Sequence, residues 1–349
     1  MKKSLIALAV LAASGASFAQ STVTLYGVAD LGYNTDKKTV GTVATKTTGL
    51  TSILSGSRLG FRGTEDLGGG LKANFVMEYA VQPDEAATSM ANRQSFVGLS
   101  GGFGSVNLGR QYTQIHGVQG TFDANGNATA AGWLGGGTST VRQSNAIVYS
   151  TPSFSGFSAA VELGFAEAAQ GGSTNVTGNA GNTTAFGLGY ANGPLTVKAA
   201  SETIKLARLS YTAPGVVPAV AATPTETYMS DALASRKATS IGASYDLGVA
   251  KVMAVSTSAK AGLTDKGEVK TSNFGVSVPM GAITLNATVS NGKYIDSGAA
   301  SVKTNGYQFG ANYSLSKRTT AYALMGQGKN KAATATKHDT FAMGVRHTF

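Results

Sequence analysis

From residue 20 onward the chain alternates apolar and polar residues with a period of two. That period belongs to strands whose two faces meet different surroundings. Leu71, Ala73, Phe75, Met77 and Tyr79 alternate with Lys72, Asn74 and Glu78, and Phe157, Ala159, Val161, Leu163 and Phe165 alternate with Ser158 and Glu162. Tyr307, Phe309, Ala311, Tyr313 and Leu315 alternate with Gln308, Asn312 and Ser314 in the same way. Segments run to about nine to eleven residues, enough for a tilted strand to cross a bilayer, whereas globular strands average about five or six. No window shows a capped helical pattern. The expectation is all-β.

Alternation alone also fits a soluble sandwich, so the polar face decides. A soluble surface is rich in charge, but this chain has 13% charged residues against 42% hydrophobic and a mean hydropathy near zero. Its polar face is built from Thr, Ser, Asn, Gln and Gly. Aromatic residues sit toward segment ends (Tyr33, Phe61, Tyr149, Tyr245, Tyr313, Phe349), as the interfacial girdles of a membrane barrel require. Only a closed barrel can span lipid as sheet, because an open edge would leave backbone groups unpaired in hydrocarbon.

Residues 1–19 read as a secretory leader: Lys2 and Lys3, an apolar run from Leu5 to Ala13, then Ser17-Phe18-Ala19. Cleavage after Ala19 would leave residues 20–349 as one barrel domain. The formal charge of +10 would fall to +8, since two lysines and no acid leave.

Seven tight turns punctuate the chain, at 65–70, 101–104, 152–156, 192–194, 246–248, 278–281 and 315–318. Eight longer connections lie near 35–52, 82–92, 112–141, 167–183, 204–237, 259–270, 291–304 and 328–338. Fifteen connections imply sixteen antiparallel strands, with short turns on one side and long loops on the other, the pattern of outer-membrane barrels.

Ser21 to Gly27, Ser57 to Ala73, Asn92 to Leu99, Phe103 to Arg110, Tyr149 to Phe157, Ser316 to Thr319 and Gly344 to Phe349 form an ordered set of segments. The set resembles the general diffusion porins of Gram-negative outer membranes, in the β-proteobacterial branch that includes Neisseria, Bordetella and Comamonas. It implies an outer-membrane homotrimer, a third external loop folded into the lumen, and passive passage of small hydrophilic solutes. The stretch 204–237, with Pro214, Pro218 and Pro224, departs from that pattern.

Pore selectivity comes from radius and from charges facing a narrow point. Arg58 and Arg62 share the polar parity of their segment, as does Arg142; Arg93 can be read on either face. The resemblance implies a basic constriction at Arg58, Arg93 and Arg142. Asp123 is the one acid in the third loop, so the opposing wall is thin and anion preference is expected, moderated by the lumen charges Asp30, Lys72, Glu78 and Glu162. The terminal Phe349 resembles the signal read by the outer-membrane assembly machinery.

Other classes fare poorly. The chain has no cysteine and three histidines, leaving little for a metal or other cofactor site. Gly98-Leu99-Ser100-Gly101-Gly102 fits the nucleophile-elbow formula, but a strand follows where the elbow needs a helix. No Lys/Arg run exceeds two residues, which argues against nucleic acid. Lys37, Lys38, Lys329, Lys331 and Lys337 fall in external loops, within reach of lipopolysaccharide phosphates. A substrate-specific channel and a loop-based adhesin remain as alternatives on the same barrel.

Overall fold

The computed structural model describes residues 22–85, 92–125, 140–166, 182–205, 208–212, 227–232, 235–262, 267–295 and 301–349. The expected leader, the three loop prolines and residues 126–139 of the third loop lie outside them. The first half contributes β1 (Thr22–Val40), β2 (Val43–Thr51), β3 (Arg58–Gly68), β4 (Leu71–Ala80), β5 (Asn92–Gly101), β6 (Gly104–Tyr112), β7 (Arg142–Ser150), β8 (Phe157–Gly164) and β9 (Thr183–Asn192). The second half adds β10 (Leu195–Lys205), β11 (Arg208–Thr212), β12 (Thr227–Ala232), β13 (Ser235–Asp246), β14 (Lys251–Gly262), β15 (Gly267–Met280), β16 (Ile283–Ile295), β17 (Val302–Ser314), β18 (Thr319–Asn330) and β19 (Thr336–Thr348).

Each main strand pairs antiparallel with its sequence neighbours, and β1 returns to β19 over thirteen register pairs from Val28↔Thr348 to Val40↔Thr336. Gly27 and Phe349 exchange backbone hydrogen bonds of 3.0 and 3.2 Å at the end of that seam. β2 and β3 occupy one place beside β1, pairing with its upper and lower halves. β11 and β12 form a separate hairpin between β10 and β13. The result is a closed barrel with sixteen strand positions.

The faces are inverted relative to a soluble protein. Large apolar side chains stand exposed on the outer parity, such as Leu188 (65%) and Phe186 (55%), while Asp30, Asn34, Glu162, Ser240 and Gln308 are fully buried on the inner one. Such a surface is at home against lipid.

Three expectations need correction. The connection near 35–52 is mostly strand: β1 and β2 run on as a hairpin that turns at Gly41, so Lys37 and Lys38 sit on strand extensions. Lys329 and Lys337 do so too, with Lys337 Nζ 2.9 Å from Asp339. Second, the third loop opens with a helix, α1 (Gln114–Thr121), whose cap Thr113 accepts a hydrogen bond from His116 N–H; such a cap satisfies one of the free N–H groups of the first turn. Third, the stretch 204–237 holds β11 and β12. Ser100, for its part, lies in the β5–β6 hairpin, where its hydroxyl accepts a hydrogen bond from Asn74 Nδ2 at 2.8 Å.

Between β2 and β3, residues 52–57 leave the wall. Asp30, fully buried on β1, gathers them: its carboxylate accepts Ser55 N–H at 2.7 Å, Ile53 N–H at 3.2 Å and the Tyr322 hydroxyl at 2.6 Å. Ser57 Oγ accepts Asp30 N–H, and both Ser52 and Ser57 hydroxyls donate to Asp30 O. Side chains thus replace the missing ladder bonds where no strand faces β1. Ile53 packs with Tyr322, Leu324 and Ala342.

Asp30→Ala strands several buried donors at once, at a cost of about 2–4 kcal/mol. The temperature at which the folded barrel loses its compact mobility in SDS gels should drop clearly. The exposed turn variant Asp246→Ala, which loses one bond to Gly248, should melt with the wild type.

Candidate functional site

The densest lumen chemistry lies where β3 to β7 face inward. Glu78, on the inner parity of β4 and buried, is the pivot. Its Oε1 accepts Arg93 Nε at 2.7 Å and lies 3.9 Å from Arg58 Nη1. Its Oε2 accepts the Tyr26 hydroxyl at 3.2 Å. Tyr112, the last residue of β6, makes the second link: its hydroxyl oxygen accepts Arg93 Nη2 at 3.0 Å and Arg142 Nη2 at 3.1 Å. The Arg142 guanidinium also lies 4.7 Å over the Tyr112 ring, a cation–π placement. Arg58, Arg93 and Arg142 therefore form one group, bound through one carboxylate and one phenol. Arg58 Nε and Arg142 Nε have no acceptor among the described residues.

Arg93 reaches this group through a register shift. β4 and β5 pair Glu78↔Gln94 and Tyr79↔Asn92, which leaves Arg93 as the extra residue of a bulge. A bulge re-aims the side chain it carries, which is why alternation left the facing of Arg93 open. A second shift between Gly109 and Gln111 frees Arg110, whose Nη1 donates to Ser144 Oγ at 2.7 Å.

Arg62 stands apart from the group, one inner-facing row away, 5.2 Å over the Tyr26 ring. Asp123 lies at the far end of the loop segment, buried, its carboxylate accepting Asn125 N–H at 2.9 Å. Lys72 is exposed on the inner parity of β4.

The segment 113–125 runs along the inward parity of the opposite wall. Ile115, Val118 and Phe122 of this segment bury against Ala200, Ala238, Met253, Val255 and Ala259. Phe122 fills the space beside Gly242 that a β-carbon would need, and Asn125 Nδ2 donates to Thr288 Oγ1 at 3.2 Å. Burying three such side chains contributes several kcal/mol, about 1.5–3 each. His116 ties the two walls together by stacking on Tyr112 with ring centres 4.9 Å apart. Burial first, then the charges of Arg142 and Arg93, push its imidazole down to about 4.

The lumen acids are engaged. Asp30 holds the 52–57 turn; Asp36 accepts the Thr340 hydroxyl and lies 3.1 Å from His338 Nδ1. Glu162 Oε2 accepts Gln114 N–H at 3.2 Å, and Glu202 lies 3.8 Å from Arg236. Alternation could have marked Arg346, which opposes Val345 and reaches Ser55 Oγ at 3.5 Å. Nothing in the sequence marks Tyr112 as the link between two arginines.

These features find counterparts among known proteins. A family profile described as Gram-negative porin matches residues 5–333. The chain is similar to outer membrane porin protein 32 of Delftia acidovorans, with 36% identity covering 95% of this chain and 91% of that one. It is 30% identical to an outer membrane porin protein of Bordetella pertussis, with all of both chains covered. Among solved structures, the anion-selective porin from Comamonas acidovorans superposes with a TM-score of 0.75 at 27% identity, covering 95% of this chain and all of the other. The trimer form of OmpT from Vibrio cholerae shares the fold, with a TM-score of 0.69 at 17% identity, covering 94% and 99%. Fold, face inversion and these likenesses agree: the chain is an outer-membrane diffusion channel and belongs to the Gram-negative porin family.

Proposed function

We infer that this porin prefers anions, and that Arg58, Arg93 and Arg142 set the preference at a constriction formed with the 113–125 segment. One observation supports the reading: three arginines stand together around a single carboxylate, Glu78, which Arg58 and Arg93 contact while Arg142 is held by the Tyr112 hydroxyl, and the other lumen acids are engaged elsewhere. A fixed positive field across a narrow, low-dielectric passage raises the local concentration of anions and repels cations. Arginine suits the task because it stays charged and keeps a rigid fork of donors. Asp123 adds too little to build an opposing wall. The reading assigns no covalent chemistry to the chain.

We extend the family likeness to three further assignments. The barrel works as a homotrimer embedded in outer-membrane lipid and lipopolysaccharide. Phe349, half-exposed at the end of β19, serves the assembly machinery. Residues 1–19 are removed on export.

In a KCl gradient across a planar bilayer the reversal potential should take the sign of an anion-preferring pore. Arg58→Gln, Arg93→Gln and Arg142→Gln should each lower the anion-to-cation permeability ratio by about twofold or more. A reversal potential near zero in the wild type would defeat the anion reading.

Acid should loosen the loop. The docked form holds His116 neutral, with a pKa below the unperturbed value of about 6.5. Its contribution is complete above that value and is lost as pH falls toward 4. The loss is on the order of 3 kcal/mol. Open-channel noise should therefore grow between pH 6 and 4 in the wild type and stay flat in His116→Gln. Equal noise in both would remove His116 from the account.

A further inference from the structure

Apolar side chains on the lumen parity are mostly covered from within. Met253 and Val255 lie under the 113–125 segment, and Leu324 and Tyr322 lie under Ile53. Val76 and Phe96 differ. They occupy paired positions on β4 and β5, face inward, and line a cavity of about 340 Å³ on the short-turn side of the arginine group. Arg62 lies in the same row, paired in register with Val76. Adjacent strands lie about 4.8 Å apart, so Arg62, Val76 and Phe96 stand side by side on three neighbouring strands of one wall. The next row toward the turns supplies Thr22, Thr64 and Asn74, also on the cavity wall. Arg58 and Arg93 share Glu78, but Arg62 makes no ion pair among the described residues; only the Tyr26 ring lies beneath it.

A guanidinium beside a half-buried apolar shelf, rimmed by hydroxyls and an amide, matches one solute class better than others. An inorganic anion would gain nothing from Val76 and Phe96. A sugar would need no guanidinium. A carboxylate on a flat apolar body uses all three features: the fork takes its two oxygens, the shelf takes its ring face, and the rim solvates any polar substituent.

We propose that Arg62, Val76 and Phe96 form a subsite for organic monocarboxylates with an apolar or aromatic body. The subsite rests on the anion-channel reading and adds a solute class to it. Binding there is weak and exposed, so it acts as a partitioning step that holds such a solute beside the arginine group.

The test uses single-channel current in KCl, with benzoate, acetate or benzyl alcohol added to either side. Benzoate should reduce the wild-type current at a concentration roughly fivefold or more below that needed for acetate. The effect should be stronger from the short-turn side. Phe96→Ser or Val76→Ser should bring benzoate to the level of acetate. Arg62→Gln should weaken benzoate by a similar factor and leave benzyl alcohol unchanged. Benzoate no better than acetate in the wild type, or unaltered benzoate block in these variants, would overturn the subsite. Loss of the conductance itself, or of its anion preference in the wild type, would count against the channel reading instead.

Discussion

Hydrocarbon offers no partner to a backbone N–H or C=O, and this requirement organises the whole molecule. The β1–β19 seam meets it by joining the ends of the chain, down to the bonds between Gly27 and Phe349. Once the cylinder is closed, every strand has one face toward lipid and one toward water. The inversion of exposed leucines and buried glutamates follows without any further rule. The one place where a strand is missing beside β1 shows how strict the demand is. There the side chains of Asp30, Ser52 and Ser57 substitute for the ladder, and the chain that would have been wall becomes the 52–57 turn inside the lumen.

The same requirement explains what the sequence discloses. Parity is written into a strand only where its two faces meet different media, so the membrane-spanning parts of β4, β8 and β17 were plain to read. In the β1–β2 hairpin beyond Thr35 apolar alternation fades, and Thr, Lys and Ala replace it. A strand extension there has the composition of a loop. The helix α1 was hidden for another reason. It is eight residues long, with glycines at 117 and 120, and its apolar residues matter only because Met253 and Val255 wait on the opposite wall. Those two residues were the available sign: an apolar side chain on the lumen parity asks for something to cover it. Arg93 could not be placed because a bulge shifts parity by one residue, and its cause is the pairing of two strands rather than the sequence of either.

Charge in the lumen is less balanced than a count of residues suggests. Asp30, Asp36, Glu162 and Glu202 carry formal charges, yet each is buried against hydrogen-bond donors or a cation. Such groups hold structure in place and present little field to a passing ion. The arginine group is different in kind. Its net excess is concentrated at one level, and its planar heads are kept in place by Glu78 and Tyr112 instead of being neutralised one for one.

Tyr112 also joins the inner loop and the arginine group into a single device. It ends β6, it is followed directly by the helix cap Thr113, its hydroxyl accepts from Arg93 and Arg142, and its ring stacks on His116 in the first turn of α1. A displacement of the helix away from Ala200 and Val255 would carry that ring with it. Both guanidinium groups would then lose their common acceptor, and Arg142 its aromatic support. The apolar contact under α1 thus does more than narrow a passage: it fixes the position of a phenol that in turn fixes two charges. The inner helix and the two guanidinium groups are coupled through one side chain, so loosening the first disorders the second.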